Sequence, residues 1–118
     1  MAIKIENPTR VQAAGTKVKI IEEYIGRVNT ETSDVSIAHM KSPTGWEEPG
    51  QKPEFKEYTI VLKGKLHVKT NSQELDIAAG EAVLVKPGEW VQYSTPDEDT
   101  EYIAVCTPAF SMDTVHRD

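Results

Sequence analysis

The pattern that most constrains this chain is a succession of short runs of β-branched and aromatic residues, each closed by a turn signal. No apolar stripe of helical period continues for three turns, so the pattern predicts an almost wholly β protein. Strands are expected at Lys17 to Glu22, Asp34 to Lys41, Glu57 to Leu62, Lys65 to Thr70, Glu74 to Ala78, Ala82 to Val85, Glu89 to Ser94 and Glu101 to Cys106. The separators have mechanisms. Lys63-Gly64 and Asn71-Ser72 read as two-residue hairpin loops, and Pro87-Gly88 fits a type II turn in which proline sets φ and glycine supplies a positive one. So many strands in 118 residues leave room for one domain, a sandwich or a closed barrel, and closure removes exposed edges.

Charge and composition narrow the function. A net charge of −6 with scattered Lys and Arg argues against nucleic acid, which is bound by clustered cations that displace phosphate counterions. Lys63, Lys65 and Lys69 bracket a turn and read as protection of a strand edge. No apolar run approaches the ~20 residues of a membrane span, so no membrane partner is expected. The opening MAIKIENPTR lacks the apolar core of a secretory signal, and the single cysteine, Cys106, has no internal partner. Both observations make the cytoplasm the expected location.

Residues 42 to 56, SPTGWEEPGQKPEFK, form the longest stretch without a strand pattern and are a candidate pocket rim. The alternative is a solvent-facing connector, against which Trp46 and Phe55 argue, because large aromatics on a loop normally pack. In the strand that follows, Tyr58, Ile60 and Leu62 share one face while Glu57, Thr59 and Val61 share the other. The second face begins polar at the loop end and turns apolar at the far end. Such a gradient suits a barrel with an open, functional mouth and a packed base.

Gly45, a five-residue gap, Gln51, Lys52, Pro53, a three-residue gap, Glu57, a six-residue gap and Gly64 are similar in spacing to the first conserved motif of the cupin superfamily. Gly80 with EAVLVKPGEWVQY behind it is similar to the second, and together the two motifs span residues 35 to 107. The resemblance is to small single-domain cupins. It implies an all-β, double-stranded β-helix, or jelly-roll, barrel that often forms a homodimer. The whole of 1–118 is then one domain, with N-terminal strands over 1–34, the motifs over 35–107 and a tail over 108–118.

In metal-dependent members of that superfamily the first motif supplies two histidines and a glutamate, and the second a third histidine. Here the corresponding positions are Gln51, Pro53, Glu57 and Val91, of which only Glu57 keeps its ligand. Proline and valine side chains carry no donor atom, so no metal or other cofactor is expected at the motif positions. A divalent ion held through Glu57 with Gln51, Glu47 or Glu48 would need several converging carboxylates.

Two residues are singled out for catalysis, Glu57 and Tyr93. A carboxylate inside an apolar barrel has its charged form disfavoured, which suits it to proton transfer near neutral pH, and Tyr93, two residues beyond Val91, shares its face and is the candidate phenolic partner. The plainer role for Glu57 is a hydrogen bond that holds the loop. Trp46, Glu47, Gln51, Thr59 and His39 are the candidate ligand contacts. Trp46 with the adjacent glutamates would make an aromatic, acidic wall suited to a cationic or polyhydroxylated ligand, or else Trp46 plugs the rim. His39 shares parity with Val35 and Ile37 and is expected to face inward. Trp90, opposite in parity to Val91, is a candidate for a dimer interface, and Cys106 reads as a small buried residue. The tail, with Phe110 as an apolar anchor, resembles cupin tails that fold back, although an exposed terminus is the simpler expectation.

Three functions follow from these residues. The first is a metal-independent barrel that binds a small organic molecule, either sensing it or transferring a proton with Glu57. The second is a divergent metal enzyme of dioxygenase or decarboxylase type, and the third a non-catalytic structural dimer.

Overall fold

The computed structural model describes residues 1–118 and contains ten strands and no helix. In chain order these are β1 Thr9–Val11, β2 Ile20–Ile25, β3 Ser36–Ser42, β4 Trp46–Glu47, β5 Lys56–Lys63, β6 Lys65–Thr70, β7 Glu74–Ala78, β8 Ala82–Val85, β9 Val91–Thr95 and β10 Thr100–Thr107. They form two antiparallel sheets, one ordered β1-β2-β3-β10-β5-β8 and the other β4-β9-β6-β7, packed face to face as a jelly-roll barrel. No helix is long and apolar enough to cross a membrane.

Alternation decides what each sheet shows the interior. On β5, Glu57, Thr59 and Val61 are buried while Tyr58, Ile60 and Leu62 face out. Val61 joins Trp46, Leu66, Val68, Ile77, Val85, Val91, Tyr93 and Tyr102 in the main apolar cluster, which fills the base of the barrel. Glu57 and Thr59, nearer the loop, line a cavity instead. The polar-to-apolar gradient along this strand therefore runs from the cavity to the apolar cluster. Phe55, Cys106 and Val115 form a second cluster, with Phe110 packed on it.

The outer face of the larger sheet is unusually apolar. Tyr58, Ile60, Leu62 and Leu84 are each between 40% and 52% exposed. In register, Tyr58 lies beside Val105 and Leu84, and Ile60 beside Ile103, so these side chains form one continuous surface.

Several turns match the sequence reading and one does not. Thr70 N–H donates to Gln73 O at 2.8 Å, closing the Asn71-Ser72 hairpin between β6 and β7. Gly88, at φ +79°, lies in the Pro87-Gly88 turn, which Glu89 N–H closes onto Lys86 O at 3.3 Å. Lys63-Gly64, however, is no hairpin loop: β5 and β6 belong to different sheets, and Gly64 is the corner between them. A Cβ there would stand 2.4 Å from Asp99 O, and φ is +82°, so both space and backbone conformation require glycine.

Residues 42 to 56 contain the two-residue β4, which pairs with β9 through Trp46↔Thr95 and Glu47↔Ser94. Such a brief pairing leaves no period in the sequence. The tail folds back rather than projecting: Glu54 N–H donates to Thr114 O, Lys52 N–H to His116 O and Asp118 N–H to Gly50 O, at 2.9, 3.1 and 2.8 Å. Trp90 takes part in this closure, where its Nε1–H donates to Asp118 Oδ2 at 3.0 Å. Its ring covers Gly50 so closely that a Cβ would lie 2.2 Å from it.

Candidate functional site

A cavity lies between the sheets and opens to solvent. Ala38, Met40, Ala104 and Phe110 supply apolar wall; Lys19, Glu48, Gln51, Glu57, Tyr93 and Arg117 supply polar groups. The lining thus combines an apolar wall with a few convergent polar groups.

At its centre is Glu57. β5 places it opposite Cys106 on β10, and β9 carries Tyr93 across from the other sheet. Tyr93 Oη–H donates to Glu57 Oε1 at 2.9 Å, and Cys106 Sγ lies 3.7 Å from Oε2 as a donor. Burial raises the Glu57 pKa above the ordinary carboxylate range, against the opposing pull of the Tyr93 hydrogen bond, the Lys19 charge and the Cys106 contact. Burial, reinforced by Glu57, also pushes Tyr93 well above its ordinary value and raises the Cys106 thiol. Tyr93 and Cys106 thus remain protonated donors to the carboxyl.

Glu48 is a second buried carboxyl in the same cavity. Its pKa rises to about 7, chiefly by burial, with Glu57 adding to the rise and Lys19 and Arg117 opposing it. Lys19 Nζ stands 4.0 Å from the Trp46 ring centroid and 5.1 Å from that of Tyr102, a cation held against two aromatic faces.

The structure brings Glu57, Tyr93, Thr59 and Gln51 together around the cavity. It places Trp46, Glu47 and His39 elsewhere. Trp46 is a buried member of the core, and its Nε1–H donates to Ala14 O at 3.1 Å. Glu47 is exposed, because alternation through this loop turns Glu48 inward instead. On β3 it is Ser36, Ala38 and Met40 that line the cavity, so His39 faces out, with Nε2 3.0 Å from Glu101 Oε1. The inward expectation for His39 took the wrong parity, because both faces of β3 carry apolar residues and the outer sheet face is itself apolar.

Lys19, Cys106 and Arg117 also line the cavity and were not singled out as ligand contacts from sequence, whereas Glu48 was named there only beside Glu47. Alternation from buried Trp46 could have pointed to Glu48. Cys106 and Arg117 depend on pairing register and on the return of the tail, which leave no local mark.

The positions that would carry a metal in the related barrels do not fit one. Gln51, Pro53 and Val91 replace the imidazoles; Val91 lies in the apolar core, and the side chain of Pro53 is fully buried while its carbonyl accepts from Gly88 N–H at 2.7 Å. No group of three or more His, Cys, Asp or Glu side chains converges to hold an ion.

Two antiparallel sheets closed on one cavity define a small jelly-roll barrel with an internal site. Residues 38–106 match the family described as the cupin domain, and the chain belongs to that family. It is 41% identical over 101 residues to a Myxococcus xanthus protein named endoribonuclease YbeY; the match takes in 85% of this chain and 34% of that protein, so the chain spans about a third of that relative's length. Among solved structures, the polyketide cyclase RemF from Streptomyces resistomycificus is 15% identical, with a TM-score of 0.77 over 99% of this chain and 84% of that one. A variant oxalate decarboxylase from Bacillus subtilis is 13% identical, with a TM-score of 0.79 over 98% of this chain and 31% of that one. At such identities the two structures share the fold alone with this chain.

Proposed function

We propose that this cupin barrel binds a small organic molecule without a metal, and that Glu57 exchanges a proton with it. The observation that carries this reading is the buried Glu57 carboxyl, held by Tyr93 at 2.9 Å in a cavity that opens to solvent. A carboxyl whose pKa is raised by burial holds its proton more tightly than an exposed one and is suited to giving it up and recovering it, as isomerisation or elimination chemistry requires. The replaced motif ligands are the reason for proposing metal-independent chemistry.

The test is calorimetric titration of a panel of small carboxylic acids, sugars and polyols, with and without chelator. At least one class is expected to bind equally in both conditions, and Glu57→Gln to weaken that binding about tenfold or more. Binding by no compound, binding abolished by chelator, or binding indifferent to Glu57→Gln would each overturn the reading. Binding without any turnover would select a sensing role. The RNA cleavage in that relative's name is not carried over, because a net charge of −6 opposes phosphate binding.

The apolar outer surface of β5, β8 and β10 supports pairing of two copies through that face, since monomers rarely expose large contiguous apolar patches. Light scattering at micromolar concentration is expected to find a dimer that Ile60→Glu converts to monomer. A wild-type monomer under those conditions would end the idea.

A further inference from the structure

Two buried side-chain atoms lack a hydrogen-bond partner, Gln51 Oε1 and Arg117 Nε, and both residues line the cavity. The two residues are also neighbours. Gln51 and Arg117 pair across an antiparallel bridge, so their side chains leave the same face of the paired segments. Buried polar atoms are almost always satisfied, and two orphans side by side in one cavity call for a common partner.

Their chemistries are complementary rather than alike. Arg117 Nε–H can only donate, while Gln51 Oε1 can only accept. In a chain with nineteen Asp and Glu residues, the Arg117 guanidinium has no carboxylate within ion-pairing distance. It instead sits 5.7 Å from the Phe110 ring centroid and donates through Nη1 to Met112 Sδ at 3.4 Å. Gln51 is only 4% exposed, so the amide is built into the wall. Backbone bonds from Gly50, Lys52 and Glu54 hold the tail, and the position of Arg117 does not depend on its own side chain.

We propose that Gln51 and Arg117 form a subsite for a small 2-hydroxy carboxylic acid, with Arg117 Nε–H donating to the carboxylate and Gln51 Oε1 accepting from the neighbouring hydroxyl. This rests on the reading of the barrel as a small-molecule site and names its ligand class. A monoanion fits better than a phosphate dianion, because Glu48 and Glu57 share the cavity with the two cations Lys19 and Arg117. The apolar wall of Ala38, Met40 and Ala104 suits a short alkyl group.

Calorimetry on the full chain with three probes tests the assignment: lactate, propionate, which lacks the hydroxyl, and lactamide, which lacks the charge. Lactate is expected to bind about tenfold or more tighter than either. Arg117→Ala should lower lactate affinity about tenfold or more and remove most of its advantage over lactamide, and Gln51→Leu should erase the preference for lactate over propionate. Circular dichroism confirms that each variant is folded; if Gln51→Leu is not, the Arg117→Ala comparison decides alone. Equal binding of lactate and lactamide, an unchanged lactate affinity in Arg117→Ala, or no binding of lactate overturns the subsite. Failure of these probes leaves the wider reading to the panel titrated against Glu57→Gln, so the two are judged separately.

Discussion

Replacing Glu48 by Gln is expected to leave stability nearly unchanged at about pH 4.5 and to raise it by about 3 kcal/mol by about pH 8. The folded protein keeps the Glu48 proton until about pH 7, whereas the unfolded chain releases it near the ordinary 4.5. Between those values the folded state binds more protons than the unfolded one, so stability falls as pH rises through the window. Above it, the wild-type protein must hold a carboxylate in a buried site, and the neutral amide of Gln removes that cost. Glu57, whose pKa is raised as well, contributes in the same direction. The informative quantity is therefore the difference between variant and wild type, measured by urea unfolding at several pH values. A difference that does not grow with pH, or a wild type more stable at about pH 8, would show that Glu48 is not held neutral.

Trp46→Ala is expected to cost about 3–5 kcal/mol of stability, as for other fully buried large aromatics. Trp46 is 1% exposed, packs in the main core cluster and gives its N–H to Ala14 O. The variant loses all three, and leaves the Ala14 carbonyl without its donor. It also removes one of the two aromatic faces against which Lys19 rests. Were Trp46 a ligand wall, the variant would lose affinity with little change in stability; a cost below about 1 kcal/mol in urea unfolding would favour that role.

Much of the β architecture was legible because strands and turns are local. The runs at Lys65–Thr70, Glu74–Ala78 and Ala82–Val85 fall at their expected places, and their side-chain period of two also announced the inward face of β5. Motif spacing led to the cupin barrel for the same reason, since glycines and prolines mark reversals wherever they occur. Short or shared elements were harder. β1 and β4 are three and two residues long, too brief for any period to show, and β2 begins three residues later than its apolar run suggested.

Site residues divide along the same line. The Glu57–Tyr93 contact was reachable, because each lies at a readable parity on a readable strand. His39 was misplaced because Ile37 and Ala38 are both apolar, and alternation cannot orient a strand with two apolar faces. The corner at Gly64 looked like a hairpin because a turn signal is the same whether the chain stays in its sheet or crosses to the other.

By itself, then, the amino-acid sequence determined the β class, most strand positions, the inward carboxylate and the loss of the motif histidines, all of which depend on residue identity and short-range period. Only the tertiary structure decided that Glu48 rather than Glu47 enters the cavity, that Cys106 stands opposite Glu57, and that Arg117 returns some 66 residues along the chain to pair with Gln51. Those are facts of register and long-range pairing. They arise when separate segments bury a common surface, and no single segment carries them.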